Sequence, residues 1–150
     1  MLPFESMDKR LLIFGSLFGI SNRLQATMDK TMEELTAKQW FVIAMLGMFE
    51  EPPNLIELAK VCDSSYQNIK QIVLKLEDKG FVQLKNDKND KRAKCVVTTS
   101  KCVQWEKKNR KNATDFVNKM FAPFSSVQIE EFSKLLMNLY ESLGRMPSEK

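Results

Sequence analysis

Apolar and polar positions change their spacing along this chain, and the changes divide it into elements. From about Asp8 to Lys30 the residues Leu11, Leu12, Ile13, Phe14, Leu17, Phe18 and Ile20 predict a helix that is apolar nearly all round in its first half. A helix of that kind must be covered on every side. A chain of 150 residues has little material to do so alone, which points to a partner subunit. A second helix is expected over Ala37 to Phe49, stopping before Pro52-Pro53, and a short third over Leu55 to Val61. The fourth covers Ser65 to Lys79, with Ile69, Ile72, Val73 and Leu76 on one face and Gly80 as its stop. The period then changes: "FVQLK" and "AKCVVTT" read as strands joined by the polar turn "NDKND". A fifth helix follows from Ser100 to Phe121, broken by Pro123, and a sixth from Val127 to about Leu143. No internal repeat or low-complexity segment is present.

Four helix starts carry capping chemistry. Thr36 with Gln39 three residues on forms a capping box, and Leu35 and Trp40 stand where a hydrophobic staple needs them. Asn54 with Glu57, Ser64 with Gln67, and Ser125 with Gln128 repeat the spacing, the last with Phe124 and Ile129 as staple. Two short capped helices followed by a hairpin are the parts of a winged helix-turn-helix, with "CDSS" leading directly into helix four. The predicted fold is therefore mainly α with a small β-hairpin wing and six helices. The capped start of helix four would enter a major groove first.

Charge adds a direction to this picture. Residues 60–111 hold 14 Lys/Arg against 6 Asp/Glu, a local balance of +8, while the rest hold 9 against 13, or −4. A concentrated positive region beside a negative remainder points to a polyanion on one side, against the plainer reading of a solvated surface. The chain has no histidine, no nucleophile motif, no Gly-rich phosphate loop and no clustered metal ligands, so an enzyme is not expected and neither a metal nor a cofactor is called for. Cys62, Cys95 and Cys102 form no CxxC pair and fit a reducing cytosol. Lys9-Arg10 ahead of "LLIFGSLFGI" resembles a secretory signal. Glu5 and Asp8 interrupt its basic region, however, and no small-x-small site follows. The run is also too short to span a bilayer, so no membrane partner is expected.

These residues together resemble the MarR family of bacterial transcription regulators. The resemblance runs through residues 35–99: Leu35-Thr36 opens the second helix, Glu57-Leu58-Ala59 precedes the recognition helix, Leu76-Glu77 and Gly80 close it, and Asp87, Asp90 and Arg92 carry the wing's D-x-x-D-x-R pattern. The resemblance implies a cytoplasmic homodimer on double-stranded DNA. It divides the chain into an N-terminal dimerisation helix (1–34), the DNA-binding domain (35–99) and C-terminal dimerisation helices (100–150). The chain departs from the family at three places. Leu84, with Lys85 beside it, stands where a basic residue is usual, and Lys101 stands where glycine is usual. Helix four carries Tyr66, Gln67, Asn68, Lys70 and Gln71 where small residues and arginine are commoner. These bear on sequence preference rather than on fold.

With the inward face of helix four accounted for, Ser64, Ser65, Gln67, Asn68, Lys70, Gln71 and Lys75 are the candidate recognition residues. Asn and Gln can bond bidentately to adenine, and Lys can reach guanine or phosphate. One of the two serines must cap the helix while the other is left for phosphate. On the wing the candidates are Lys88, Asp90, Lys91 and Arg92. Arg92 would enter a minor groove, held extended by Asp90. The basic run "KKNRK" (107–111) reads first as the wet face of a long helix. The cysteines read first as small buried hydrophobes, although a redox-sensing regulator stays open as an alternative. Met28, Met32, Met45 and Met48 read first as core filler and second as an adaptable ligand pocket. The expected function is a DNA-binding regulator, a repressor released by a small apolar or phenolic effector. The alternative from another class is a winged-helix protein–protein adaptor without DNA binding.

Overall fold

The structure, a computed structural model, describes residues 7–87 and 94–146. Its elements run α1 (Lys9–Thr31), α2 (Ala37–Leu46), α3 (Leu55–Val61), α4 (Tyr66–Asp78), β1 (Val82–Asn86), β2 (Lys94–Thr98), α5 (Ser100–Phe121) and α6 (Ser126–Arg145). The chain forms two compact units, Met1–Gln104 and Trp105–Lys150, with α5 beginning in the first and continuing in the second.

The first unit has one core. Its apolar stripe on α4, Ile69, Val73 and Leu76, is buried together with Val42, Ile43 and Leu46 of α2, Leu55, Leu58 and Ala59 of α3, and Phe81, Val82 and Val96 of the hairpin. Ile72 is only half-buried, at the edge of that stripe. The strands pair antiparallel with Val82 opposite Thr98 and Leu84 opposite Val96. The Val96 N–H turns away from β1 and donates to Pro53 O at 2.9 Å, and Asn54 bridges Cys95. The wing's second strand is thus attached on both sides.

The expected capping boxes form at Thr36/Gln39, Asn54/Glu57 and Ser125/Gln128, each with both reciprocal bonds present. The fourth does not. Ser65, not Ser64, is the cap of α4: its backbone is extended (φ −69°, ψ 149°) and its hydroxyl accepts from the Asn68 N–H at 3.2 Å. Of the two serines only Ser64 has a glutamine three residues on, yet the backbone geometry makes the adjacent Ser65 the cap. The second helix also ends at Leu46 rather than Phe49, because Met48 and Phe49 bond back to Met45 and Leu46 in tighter i→i+3 turns after the Gly47 cap.

α1 buries no residue within this unit, and Phe14 and Phe18 stand exposed with their rings edge-on at 5.4 Å. In the second unit α6 likewise buries none, leaving Phe132, Leu135, Met137 and Leu143 exposed. Its polar side carries the i,i+4 pairs Lys134–Glu130 and Arg145–Glu141.

Candidate nucleic-acid interface

α4 begins and ends in defined ways, and the two ends set what its outer face presents. At its start Ser65 holds the Asn68 backbone N–H, while the Asn68 side-chain amide donates to Ser64 Oγ at 2.8 Å. Asn68 is gripped twice, so its amide is held beside the helix start. At the other end Gly80 takes φ +77°, its N–H bonds Glu77 O at 2.8 Å, and the Phe81 N–H bonds Leu76 O at 2.9 Å. This is a Schellman stop, and it turns the chain straight into β1.

Between those ends Ser65, Gln67, Asn68, Lys70, Gln71 and Lys75 are all exposed, and Ser64 is half-buried. The opposite stripe is buried. Tyr66, at the first helical position, is also 44% exposed and adds an aromatic ring to the candidate surface. A tyrosine at the first turn, outside the apolar stripe, was the signal for it in the sequence. The wing candidates Lys88, Asp90, Lys91 and Arg92 lie outside the described residues. Asp87 and Lys94, which flank them, end and open the described parts of the hairpin.

The hairpin's base is fixed to α4. Glu77 Oε1 accepts the Leu84 N–H at 2.8 Å, so the glutamate of the helix-closing motif holds β1 by its backbone, whatever side chain occupies position 84. Thr99 Oγ1 donates to Gly80 O at 2.7 Å and accepts the Cys102 N–H at 3.3 Å, which ties β2's exit and the start of α5 to the same corner.

Lys79 and Lys101 of the basic stretch are engaged with distant parts of the chain. Lys79 Nζ donates to the Glu34 carbonyl and, at 2.9 Å, to Gln39 Oε1. Lys101 Nζ donates to Lys79 O at 2.9 Å, lies 3.1 Å from Glu34 Oε2, and sits 4.6 Å from the centre of the Phe81 ring. Sequence reasoning counted both lysines toward a polyanion. Lys107, Lys108, Arg110 and Lys111 are exposed on α5, and Lys111 pairs with Asp115 at 2.7 Å, which holds the ammonium's pKa above and the carboxyl's below their ordinary values.

Of the cysteines, Cys102 is buried and Cys62 and Cys95 are half-buried. Partial burial, with the Asp63 carboxylate adding to it, pushes the Cys62 thiol pKa up and so lowers its thiolate fraction. Met28, Met32 and Met45 are half-buried and Met48 is exposed. Among the described residues no group of three or more His, Cys, Asp or Glu side chains is placed to hold a metal ion, and no helix is long and apolar enough to cross a membrane.

The geometry has close counterparts among solved structures. A MarR/EmrR family transcriptional regulator from Acinetobacter sp. ADP1 superposes with a TM-score of 0.82 at 14% identity, covering 93% of this chain and 100% of that one. The S. aureus MepR–DNA complex does so at 0.80 and 18% identity, covering 87% and 97%. An organohalide-sensing transcriptional regulator in its 2,4-dichlorophenol-bound form reaches 0.83 at 14% identity, covering 95% and 85%. At such identities these likenesses establish the fold. No curated protein matches the sequence. The model of the MarR family does match it, over residues 35–94, which take in α2, α3, α4 and β1 and reach the first residue of β2. Over residues 35–94 the chain thus carries a domain that matches the MarR family model, in a fold shared with MarR-family winged-helix transcriptional regulators.

Proposed function

We propose that the protein is a homodimeric repressor that binds a pseudo-palindromic DNA duplex and is released by a small apolar or phenolic effector. The observation that carries this reading is α4: its apolar stripe is buried while Ser65, Gln67, Asn68, Lys70, Gln71 and Lys75 stand exposed, and its last turn runs directly into a hairpin. Each protomer offers α4 to a major groove and its wing, through Lys88, Asp90, Lys91 and Arg92, to the adjacent minor groove. Asn68 and Gln71 read bases, Lys70 and Lys75 meet phosphate or guanine, and Ser64 and Ser65 hold the helix start against the backbone. The proposed division is 1–34 and 100–150 for dimerisation and 35–99 for DNA. The exposed apolar faces of α1 and α6 support it. MepR, a fold relative, is seen on DNA, and another relative is seen with 2,4-dichlorophenol, which supports the polyanion and effector parts of the proposal.

The test is a fluorescence-anisotropy titration of duplexes selected from a random pool, repeated over a salt series. Specific binding with half-sites ~10 bp apart and a steep fall with salt is expected. Arg92→Ala should weaken binding while the dimer stays folded. A flat titration at low salt would instead make the fold a protein–protein adaptor.

A further inference from the structure

Glu34, in the turn between α1 and α2, is the meeting point of two lysines from distant parts of the chain. Its backbone is left-handed (φ +68°), which directs its carbonyl to the Lys79 ammonium at the end of α4. Its carboxylate takes the Lys101 ammonium at the start of α5, 3.1 Å away. Lys101 also donates to Lys79 O at 2.9 Å and so caps the last turn of α4, with its charge over the Phe81 ring. Lys79 reaches on to Gln39 Oε1 in the first turn of α2. The same turn is fixed to α1 by the Asp29 carboxylate, which accepts the Ala37 N–H at 2.6 Å. A continuous set of bonds therefore runs from α1 through the Glu34 turn to the end of the helix that faces DNA.

We infer that Glu34, Lys79 and Lys101 are positioning residues that fix the angle between α1 and α4, and thereby the half-site spacing a dimer accepts. This rests on the dimeric DNA-binding reading above, in which α1 belongs to the dimer contact. Both lysines fall in the basic stretch of the chain, yet each directs its ammonium to two acceptors within the fold, among Glu34, Gln39 and the α4 terminus. One base pair more or less between half-sites moves the second groove by about 3.4 Å and turns it by about 35°. Two α4 helices clamped to their α1 helices cannot follow that displacement, whereas unclamped ones can. Lys101, at the start of α5, supplies the second half of the clamp.

The experiment compares three duplexes: the best selected spacing, one base pair shorter and one longer. It uses the full chain and the variants Lys79→Met/Lys101→Met, Lys101→Arg and Glu34→Gln. The unaltered protein should prefer the best spacing by about tenfold or more, the scale of one mismatched base pair. In the double Met variant that ratio should fall to about threefold or less, with affinity for the best duplex and the salt dependence kept. Lys101→Arg keeps a cation for the Glu34 carboxylate and should keep the ratio of the unaltered protein. Glu34→Gln keeps both lysines and the backbone carbonyl, so it should give an intermediate ratio even if the double variant does not fold. An unchanged ratio in the double Met variant and in Glu34→Gln would overturn the inference. So would an equal loss on all three duplexes with the salt slope reduced by about 0.9 per lysine, since the lysines would then be phosphate contacts. A monomer by light scattering, measured before any DNA is added, would remove the dimeric reading beneath it and this inference too.

Discussion

Gly80 offers a clean test of how the recognition helix hands over to the wing. Its φ of +77° is in the left-handed region, where any side chain with a Cβ is strained. A Cβ built there would meet nothing nearer than Lys101 Cδ at 3.8 Å, an ordinary contact, so steric crowding is not part of the cost. What remains is conformational. Alanine in this region costs about 1–2 kcal/mol, partly offset by about 0.4–1 kcal/mol from the narrower unfolded state. The net expectation for Gly80→Ala is a loss of about 1 kcal/mol, and a smaller loss for Gly80→Asn, because asparagine tolerates this region better. Urea unfolding at one fixed protein concentration reads this as a midpoint lower by about 0.3–1 M for a slope of 1–3 kcal/mol/M. An unchanged or raised midpoint for the alanine variant would refute the conformational argument. A loss above about 3 kcal/mol would show that the space around Gly80 is filled, contrary to the geometry.

Gln39→Leu should destabilise by about 2–3 kcal/mol, because the side chain is 5% exposed and its one oxygen serves both the Thr36 N–H and the Lys79 ammonium. Thr36→Ala, which removes only the cap, should cost about 1 kcal/mol by the same unfolding measurement. Gln71→Ala should lower discrimination at one base pair by about 1–3 kcal/mol in a binding-site selection, and an equal loss on every duplex would make it a backbone contact. The Cys62 thiol, with its pKa raised, should alkylate more slowly at neutral pH than a cysteine in a short peptide. Since the folded state favours the neutral thiol, its contribution to stability is present below the ordinary thiol pKa and is lost as pH rises through the folded value, which a pH series of unfolding curves would show.

Much of the architecture was legible because its signals are local. A capping box spans three residues, and those at Thr36, Asn54 and Ser125 lie where the spacing put them. The α4 stripe was equally plain, since burial of one helix face writes itself into a 3.6-residue period. Local signals fail where neighbours compete: Ser64 has the glutamine three residues on, but the backbone makes Ser65 the cap, so the spacing pointed to the wrong serine. The Glu34 clamp was invisible for a different reason. Its partners are 45, 40 and 22 residues apart, and a lysine paired across the fold reads in the sequence like a lysine facing water. Of the candidate site, the helix half is exposed as the polar pattern required, while the wing tip with Arg92 lies outside the described residues.

The second bond made by β2, to Pro53, bears on solubility. A two-stranded ribbon ordinarily offers both of its outer rims to any passing extended peptide, which is how sheets seed aggregates. Here the Val96 amide, which would start such an addition, is already satisfied by the stretch ahead of α3, and a proline sits opposite it. The hairpin therefore keeps one of its rims closed to unwanted strands.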